Sequence, residues 1–459
     1  MPSEERGLHI IVLIKGTLTT LQGVDSLMET KLVRIAQIAK ESSKEVFTSL
    51  YHHLNEDMLT QAHQELKGNK AVGVDEITKA NYTENLKENI HHLVEALKRH
   101  SYKPQPVRRV YIPKGNDRRP LGVPSYEDKI VQLGLTKILQ AIYEADFLPC
   151  SYGFRPKVGA HKALRRINDI LIRTKTNYIV DTDIKGFFDS VDHKLLMEFI
   201  GLRIAGPNIK RLIVRFLKAG VMEQDTYEPT LKGTPQGAII SPILANIYLH
   251  YVLDLWFSRV VKKYCQGEAY LVRYADDFVC CFQYQEDALR FYKALGERLA
   301  KFKLVLATDK TKIIEFGRFA ANNRMTKGLG KPETFSFLGF THYCNQSRNG
   351  KFRVKRKTEA KKFKSKIKAF KAWIRTIRSF VPIPDIFRQL RVKLLGHYAY
   401  YGITDNLRMI RNFYDIVIRL LFKWLNRRSQ RRSFTYDKFK RYLKLNPLPL
   451  PRIYVSIFA

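Results

Sequence analysis

The chain has 459 residues, 45% of them apolar, and carries 80 lysines and arginines against 43 acidic residues. This length allows a substantial core and is typical of about three domains. The net charge of +37 indicates a polyanionic partner, and nucleic acid is the usual one. A membrane surface is the alternative partner, but no apolar run approaches the roughly 20 residues of a spanning helix.

The cysteines and the N-terminus indicate the compartment. The five cysteines show no C-x-x-C spacing, which predicts neither a zinc site nor a disulfide framework and favours a reducing, intracellular setting. The first residues place acidic side chains before a short apolar patch and lack a small-residue cleavage pattern, so they do not predict a secretory signal. We therefore expect a cytoplasmic protein.

The first third of the chain predicts helices followed by a hairpin. Residues 1–30 lack clear periodicity and form a poorly defined extension, whereas the apolar spacing from Lys31 to about Lys67 predicts a helix. Residues 68–78 predict a loop that opens another helix. Residues 107–135 predict two short strands joined by a polar turn, and then a helix.

The middle of the chain predicts strands that end in polar residues. The stretch 177–191 (NYIVDTDIKGFFDSV) begins as a buried strand and breaks at Gly186. Residues 228–257 predict a loop rich in glycine and proline that leads into a long apolar helix. The stretch 269–282 (AYLVRYADDFVCCF) is apolar on both sides of a polar centre and predicts a hairpin.

The composition becomes strongly basic beyond about residue 345. Thirteen residues between Lys351 and Arg378 are lysine or arginine, and only Glu359 is acidic. Apolar residues repeat at three-and-four spacing from Leu407 to Trp424 and predict an amphipathic helix. From these changes we predict four segments, with the boundaries 1–30, 31–106, 107–345 and 346–459.

Asp276 and Asp277 lie at the tip of the predicted hairpin. Paired acidic residues on a turn are usually solvated or cap a helix, so this pair alone is a weak signal. Asp183 ends another buried strand, and strands from distant parts of a chain can be neighbours in one sheet. Converging carboxylates are tolerated where divalent cations such as Mg²⁺ neutralise them. Asp181 lies on the same strand face as Asp183, so geometry alone does not exclude it.

Several stretches, taken in order, resemble the motifs of one family. They are residues 68–78, YIPKGNDRRPLGVP (111–124), SYGFRPKVGAHKAL (151–164), DTDIKGFFDSV (181–191), GTPQGAIISPILANIYL (233–249), YADD (274–277), LATDKTKIIEFGR (306–318), FSFLGF (335–340) and LLGHYAYYGI (394–403). From about residue 31 onward, the chain resembles the reverse transcriptases of bacterial group II introns, which also act as maturases.

The resemblance implies an α+β fold. That fold is a right-hand polymerase with fingers, an antiparallel palm sheet and a helical, basic thumb or maturase domain. The implied activity is RNA-directed DNA synthesis with two Mg²⁺ ions, for which Mn²⁺ could substitute. Catalysis and metal binding are assigned to Asp183, Asp276 and Asp277, and the main chain of Ile184 is implied as a further ligand.

The resemblance also assigns residues to the nucleotide. Lys114 and Arg119 are expected to contact the triphosphate, and Phe188 to exclude a 2′-hydroxyl. Gln236 is expected to contact the nucleotide or the template. Lys310 is a candidate proton donor to pyrophosphate.

Further residues are assigned to the primer and to nucleic-acid binding. Leu338 and Gly339 fit a turn that supports the primer end. Tyr398, Tyr400 and Tyr401 either stack on bases or pack in the core. The residues expected to bind nucleic acid are Lys355, Arg356, Lys361, Lys364, Lys368 and Arg375.

The implied partners are an RNA template, a DNA or RNA primer, deoxynucleoside triphosphates, a group II intron RNA and a DNA target, with no membrane. The implied location is the bacterial cytoplasm, in association with nucleic acid. Two departures from the family are expected: the sequence carries no HNH endonuclease segment, and Glu76 stands where the family usually has glycine.

Two alternatives remain open from the sequence. Related reverse transcriptases have been recruited for phage defence, repair or CRISPR spacer acquisition. The other alternative is a non-catalytic RNA-binding splicing chaperone, against which the intact acidic residues argue.

Overall fold

The computed structural model describes residues 27–114, 117–347, 349–428 and 434–458. Up to residue 173, its helices are α1 (Leu27–Glu41), α2 (Glu56–Glu65), α3 (Lys79–Glu84), α4 (Leu86–Lys98), α5 (Tyr126–Asp146) and α6 (Ala160–Arg173). From residue 187 to residue 326 they are α7 (Phe187–Ser190), α8 (His193–Gly201), α9 (Pro207–Leu217), α10 (Ser241–Leu249), α11 (Lys262–Tyr264), α12 (Gln285–Lys301) and α13 (Ala320–Thr326). The last ones are α14 (Ala360–Ile377), α15 (Ile383–Tyr401), α16 (Leu407–Leu425) and α17 (Tyr436–Leu445).

The strands form three sheets, so the α+β class is confirmed. The strands are β1 (Val107–Lys114), β2 (Asp117–Val123), β3 (Tyr178–Thr182), β4 (Val221–Glu223), β5 (Thr226–Glu228), β6 (Ala269–Tyr274), β7 (Asp277–Phe282), β8 (Lys312–Glu315), β9 (Phe335–Phe337), β10 (Phe340–Gln346) and β11 (Phe352–Thr358). The strand orders are β2-β1-β4-β5, β6-β7-β3-β8 and β11-β10-β9. The last sheet is antiparallel throughout, and in the first one β1 pairs antiparallel with β2 and parallel with β4.

The chain folds into two compact units. Of the described residues, the first unit contains those from 27 to 160 together with 182–280 and 286–312, and the second contains 161–181, 281–285 and those from 313 onward. The four segments expected from composition stay a prediction. None of the described helices is long and apolar enough to cross a membrane.

The single helix predicted from Lys31 to Lys67 is wrong over its middle. Helix α1 ends at Glu41, and α2 begins only at Glu56, where the Asn55 side chain accepts a hydrogen bond from the Met58 amide. Serines at the end of α1 favour a break. The buried guanidinium of Arg203 stabilises it, because it donates to the carbonyls of Ala39, Ser42 and Glu45.

The other predicted elements are confirmed. Both hairpins form, and Gly186 breaks the chain after β3 with a φ of +54°. The long apolar helix begins as α10 and continues through two π-helical turns, His250–Asp254 and Phe257–Val261, into α11. Helix α16 is amphipathic as expected: Ile410, Val417 and Leu421 are buried, and its arginines face solvent.

The loop at residues 68–78 is anchored to the start of α5. The Asp75 carboxylate accepts a hydrogen bond from the Tyr126 amide at 2.9 Å, and Lys129 donates to the Ala71 carbonyl at 2.7 Å. Gly73 packs so closely that a Cβ there would lie 2.4 Å from the Ser125 Cα. Directly after Asp75, the exposed Glu76 has a φ of +54°, which an L-residue with a side chain adopts only at a cost.

We therefore predict that Glu76→Gly stabilises the first unit by about 0.5–1 kcal/mol, because glycine adopts a positive φ without strain. Chemical denaturation monitored by fluorescence or circular dichroism measures this change. Glu45→Gly is the control, since Glu45 is also an exposed loop glutamate of the first unit but has no positive φ. Equal losses of stability in the two variants would contradict the strain at Glu76.

Candidate active site

The three predicted carboxylates lie at the ends of strands. Asp183 directly follows β3, and Asp276 and Asp277 lie at the turn between β6 and β7. The Thr182 hydroxyl donates to the Phe278 carbonyl at 3.0 Å, which holds the end of β3 against the start of β7. Asp183 and Asp277 are each one residue from this hydrogen bond, so the fold brings them to adjacent ends of the neighbouring strands β3 and β7.

The backbone after Asp183 is fixed by a distant segment. The Asp183 carbonyl accepts from the Ala307 amide at 2.9 Å, and Lys185 donates its amide to Val305 at 2.9 Å. Ile184 forms an antiparallel bridge with Leu306, and its side chain is buried. The main chain near the proposed ligand position of Ile184 is therefore rigidly placed.

Lys310 contacts one of the three predicted carboxylates. Its Nζ is 2.9 Å from Oδ2 of Asp183, and both side chains are partly exposed. This hydrogen bond and the negative charge of Asp183 raise the pKa of Lys310 above its ordinary value. The ion pair therefore persists until the pH rises through that raised pKa. In the described structure, the ammonium of Lys310 is therefore a positive charge directly beside the Asp183 carboxylate.

The glycine-rich loop at 233–237 approaches β2 very closely. Gly237 has a φ of +115°, and a Cβ there would lie 2.6 Å from the Gly122 carbonyl oxygen. The Gly122 amide in turn donates to the Gln236 carbonyl at 2.7 Å. Only glycine permits this approach, so the loop that carries Gln236 is held along the edge strand β2.

The side chain of Gln236 points toward α7. Its Nε2 donates to the Asp189 carboxylate at 3.2 and 3.3 Å. Phe188 precedes Asp189 and accepts the Thr234 amide at its carbonyl. The ring of Phe188 is half-buried and meets Phe187 edge-on, whereas Phe187 is a core residue. Phe188 is therefore the more exposed of the two phenylalanines, and its role at the nucleotide stays a prediction.

Arg119 lies exposed on β2, directly opposite Ile112 of β1. Lys114 ends β1, and its side chain lies outside the described residues.

The nearby acidic residues have other partners. Asp192 caps α8 by accepting the Leu195 amide, and it also forms an ion pair with Lys303 at 2.7 Å. Asp189 holds Gln236, as described above. Asp181 lies within β3, whereas Asp183 follows it.

The sequence reasoning missed a buried polar cluster behind the acidic turn. Arg273 of β6 is fully buried and makes an ion pair with the fully buried Asp254 at 2.6 Å. It also donates to Ser151 and Asn246. The signal was available, because an arginine inside an apolar strand needs a buried partner.

In the second unit, Leu338 and Gly339 form the turn between β9 and β10. Their φ angles are +51° and +77°, as expected of a tight hairpin turn. The Tyr400 hydroxyl donates to the Leu338 carbonyl at 2.8 Å, and Tyr398 and Tyr401 are buried. Of the two alternatives for the tyrosines, packing is the one that these contacts favour.

The residues predicted to bind nucleic acid differ in their exposure. Lys361, Lys364, Lys368 and Arg375 are all exposed on α14, where their three-and-four spacing places them on one face. Lys355 is half-buried on β11.

The assignment of Arg356 to the nucleic-acid surface is wrong. Its side chain is fully buried, where it contacts Asn168 and lies 3.7 Å from Asp405. Burial lowers the pKa of Arg356 to about 10, against the opposing effect of Asp405. The physical reason is strand alternation, since Val354, Arg356 and Thr358 share the buried face of β11.

Comparison with known proteins decides the family. Residues 112–342, half of the chain, match the family model described as reverse transcriptase (RNA-dependent DNA polymerase). The chain belongs to the reverse transcriptase family. The resemblance read from the order of the motifs is thereby confirmed.

Individual relatives of this reverse transcriptase extend the comparison. Group II intron-encoded protein LtrA of Lactococcus lactis subsp. cremoris is 42% identical over 51% of this chain and 39% of its own length. Protein YkfC of Escherichia coli strain K12 is 33% identical over 63% of this chain and 80% of its own length. A 91 kDa protein in the cob intron of Schizosaccharomyces pombe is 37% identical over 46% of this chain. The chain thus spans about two fifths of the length of LtrA.

Reverse transcriptases use divalent metal ions, and the donor set of this site suits them. The described residues contain no group of three or more His, Cys, Asp or Glu side chains already gathered as in a closed metal centre. Mg²⁺ does not require such a group, since it binds one or two carboxylates together with substrate phosphates. The ammonium of Lys310 on Asp183 marks where a cation is favoured. The carboxylates of Asp183, Asp276 and Asp277 therefore suit Mg²⁺ by the chemistry of their oxygen donors.

Because Lys310 competes with a cation for Asp183, we predict that Lys310→Met tightens Mn²⁺ binding by about two- to fivefold, the range expected of a partly exposed ion pair. Titration of the protein with Mn²⁺ in the absence of nucleic acid, followed by electron paramagnetic resonance, measures this affinity. Lys312→Met is the control, since Lys312 is exposed two residues away. Weaker Mn²⁺ binding by Lys310→Met than by the control would contradict the competition.

Proposed function

We propose that this reverse transcriptase is an RNA-directed DNA polymerase encoded by a group II intron, and that it also assists the splicing and mobility of that intron. The observation that supports the polymerase part is the hydrogen bond from the Thr182 hydroxyl to the Phe278 carbonyl, which joins the end of β3, next to Asp183, to the start of β7, next to Asp277. The intron part is supported by the 42% identity to a protein named for its group II intron.

The carboxylates of Asp183, Asp276 and Asp277 would hold two Mg²⁺ ions, with the Ile184 main chain as a further ligand. When bound, these ions activate the primer 3′-hydroxyl and neutralise the charge that develops on the leaving pyrophosphate. The strand ends orient the carboxylates, so that the primer end and the triphosphate meet at one place. Lys310 already lies beside Asp183, from where it can hold a proton for the leaving pyrophosphate.

Residues of the first unit would select and orient the nucleotide. Arg119 offers a forked guanidinium on the exposed face of β2, which suits a triphosphate, and Lys114 is proposed to assist it. Gln236 is held at β2 by its loop and is proposed to contact the nucleotide or the template. The half-buried ring of Phe188 would exclude a 2′-hydroxyl by its bulk, which favours deoxynucleotides.

The remaining elements fit the parts of a right-hand polymerase. We assign β1 and β2 to the fingers, the sheet of β6, β7, β3 and β8 to the palm, and the C-terminal helices to the thumb. The turn at Leu338 and Gly339 is proposed to support the primer end, and its support by Tyr400 suits that role. The basic face of α14 is proposed to bind the phosphates of the template–primer duplex or intron RNA.

We predict that Asp276→Asn abolishes primer extension on an RNA template with deoxynucleotides and Mg²⁺, because the variant loses one of the charges that hold the cations. The loss should be on the order of a hundred- to a thousandfold, as for other groups that stabilise developing charge. Incorporation of labelled nucleotide measures it. Asp225→Asn is the control, since Asp225 is an exposed turn residue with a φ of +67° that asparagine adopts readily.

Equal activity of Asp276→Asn and the control would overturn the polymerase part. A gene flanked by no group II intron sequence would overturn only the intron part.

We also predict that the double variant Lys364→Gln, Lys368→Gln lowers the slope of log affinity against log salt by about two, because each lysine releases about one counterion on contact with a phosphate. Fluorescence anisotropy of a labelled RNA–DNA duplex over a range of KCl concentrations measures the slope. The control is Lys293→Gln, Lys301→Gln, an exposed pair on α12 with the same loss of charge. Equal slopes in both double variants would remove α14 from the proposed interface.

A further inference from the structure

Arg273 is a buried charge placed directly before the acidic turn. Its side chain is fully buried, and its five N–H donors match five acceptors. Nε donates to Oδ1 of Asp254 at 2.7 Å, and Nη2 donates to Oδ2 of Asp254 at 2.6 Å and to Oγ of Ser151 at 2.8 Å. Nη1 donates to Oδ1 of Asn246 and to the carbonyl of Ala275, both at 3.0 Å.

The partner of Arg273 sits at an irregular place in the apolar helix. Asp254 is fully buried and ends the π-helical turn His250–Asp254. Such turns are rare and are frequently found at functional sites. Two parallel hydrogen bonds from Arg273 to Asp254 fix the plane of the guanidinium, so the direction of its remaining donors is also fixed.

The contact with Ala275 reaches the turn itself. Ala275 links Tyr274 to Asp276 and has a φ of +58°, a conformation that residues with a side chain rarely adopt. Its carbonyl is held by Arg273. Its amide is packed against Gly153, where a Cβ would lie only 2.3 Å from the Ala275 nitrogen.

Asn246 joins these two supports. Its Oδ1 accepts from Arg273, and its Nδ2 donates to the Gly153 carbonyl at 2.8 Å. The turn is therefore held on its carbonyl side by a guanidinium and on its amide side by a glycine, and one asparagine fixes both.

We propose that Arg273 is a positioning residue for the acidic turn: by holding the Ala275 carbonyl, it keeps the following peptide, and with it the carboxylates of Asp276 and Asp277, in the orientation that the reaction needs. Asn246 supports it in the same role. This inference rests on the proposed function, because the two carboxylates are the proposed metal ligands.

Of the five acceptors of Arg273, only the Ala275 carbonyl belongs to the acidic turn. The charge of Arg273 is already neutralised by Asp254, and Ser151 and Asn246 accept further donors. A lysine in its place keeps a positive charge near Asp254. It lacks the rigid planar fork that reaches Asp254, Asn246 and Ala275 at the same time.

The test compares Arg273→Lys with Arg203→Lys. Arg203 is also buried in the first unit, where it forms an ion pair with Asp146 at 3.0 Å and donates to main-chain carbonyls, but it has no contact with the turn among its described partners. Both variants lose one buried guanidinium. A difference between them therefore reports on the turn and not on burial.

Three quantities are measured on the full-length protein. For Arg273→Lys we expect kcat to fall by about 10- to 100-fold, as small misplacements of reacting groups do. We expect an unchanged Kd for the template–primer duplex and faster hydrogen–deuterium exchange in a peptide that spans residues 274–279. For Arg203→Lys we expect wild-type kcat, Kd and exchange. The melting temperature should fall in both variants, because both lose a buried guanidinium.

The exchange measurement requires no activity, so the two proposals fail separately. An active wild type with unchanged kcat and unchanged exchange in Arg273→Lys would overturn the positioning role alone. A wild type without primer extension would overturn the proposed function, while the exchange result still decides whether Arg273 holds the turn.

If Arg273→Lys does not fold, Asn246→Ala replaces it. That variant keeps the Arg273–Asp254 ion pair and removes the link between Arg273 and Gly153. We expect a smaller loss of kcat and faster exchange of the same peptide. Wild-type values of both quantities would overturn the proposal that the network of Arg273 and Asn246 holds the turn.

Discussion

The buried ion pair of Arg273 with Asp254 is the interaction on which the acidic turn depends. Acidic residues side by side repel each other, and a turn that carries them gains nothing from its own charges. The ion pair lies behind the turn, where both partners are fully buried and every donor of the guanidinium is used. Removing one partner would leave an uncompensated buried charge, which typically costs about 3–5 kcal/mol.

Other close contacts to the main chain also shape the first unit. Gly153 packs against Ala275, the Thr182 hydroxyl holds Phe278, and Gly237 approaches Gly122. Each contact joins segments that are far apart in the chain, and each requires a small or hydrogen-bonding residue at one point. The glycines and short polar residues of the motifs therefore shape the site, while the acidic residues and Lys310 supply its charge.

Not all of the positive charges behind the net charge of +37 lie on the surface. In the first unit, Arg203 and Arg273 are buried and serve as internal donors to carbonyls and carboxylates. In the second unit Arg356 has the same kind of role, while Lys361, Lys364 and Lys368 of α14 are exposed. Charge counted along the chain thus indicates the class of partner, and only burial indicates which charges can meet it.

The sequence by itself determined the elements, their order and the family. Periods of two and of three to four residues report which face of a strand or helix is buried, and they correctly predicted the hairpins, α16 and the residues at the end of β3. The break after α1 was missed, because the serines there are only a weak local signal and Arg203, which stabilises the break, is far away in the chain. The tertiary structure alone decided which groups became neighbours: Lys310 with Asp183, Arg273 with Asp254, and Arg356 with Asn168. The physical reason is that periodicity records how often a side chain turns inward, whereas a hydrogen bond or an ion pair depends on which distant segment lies opposite.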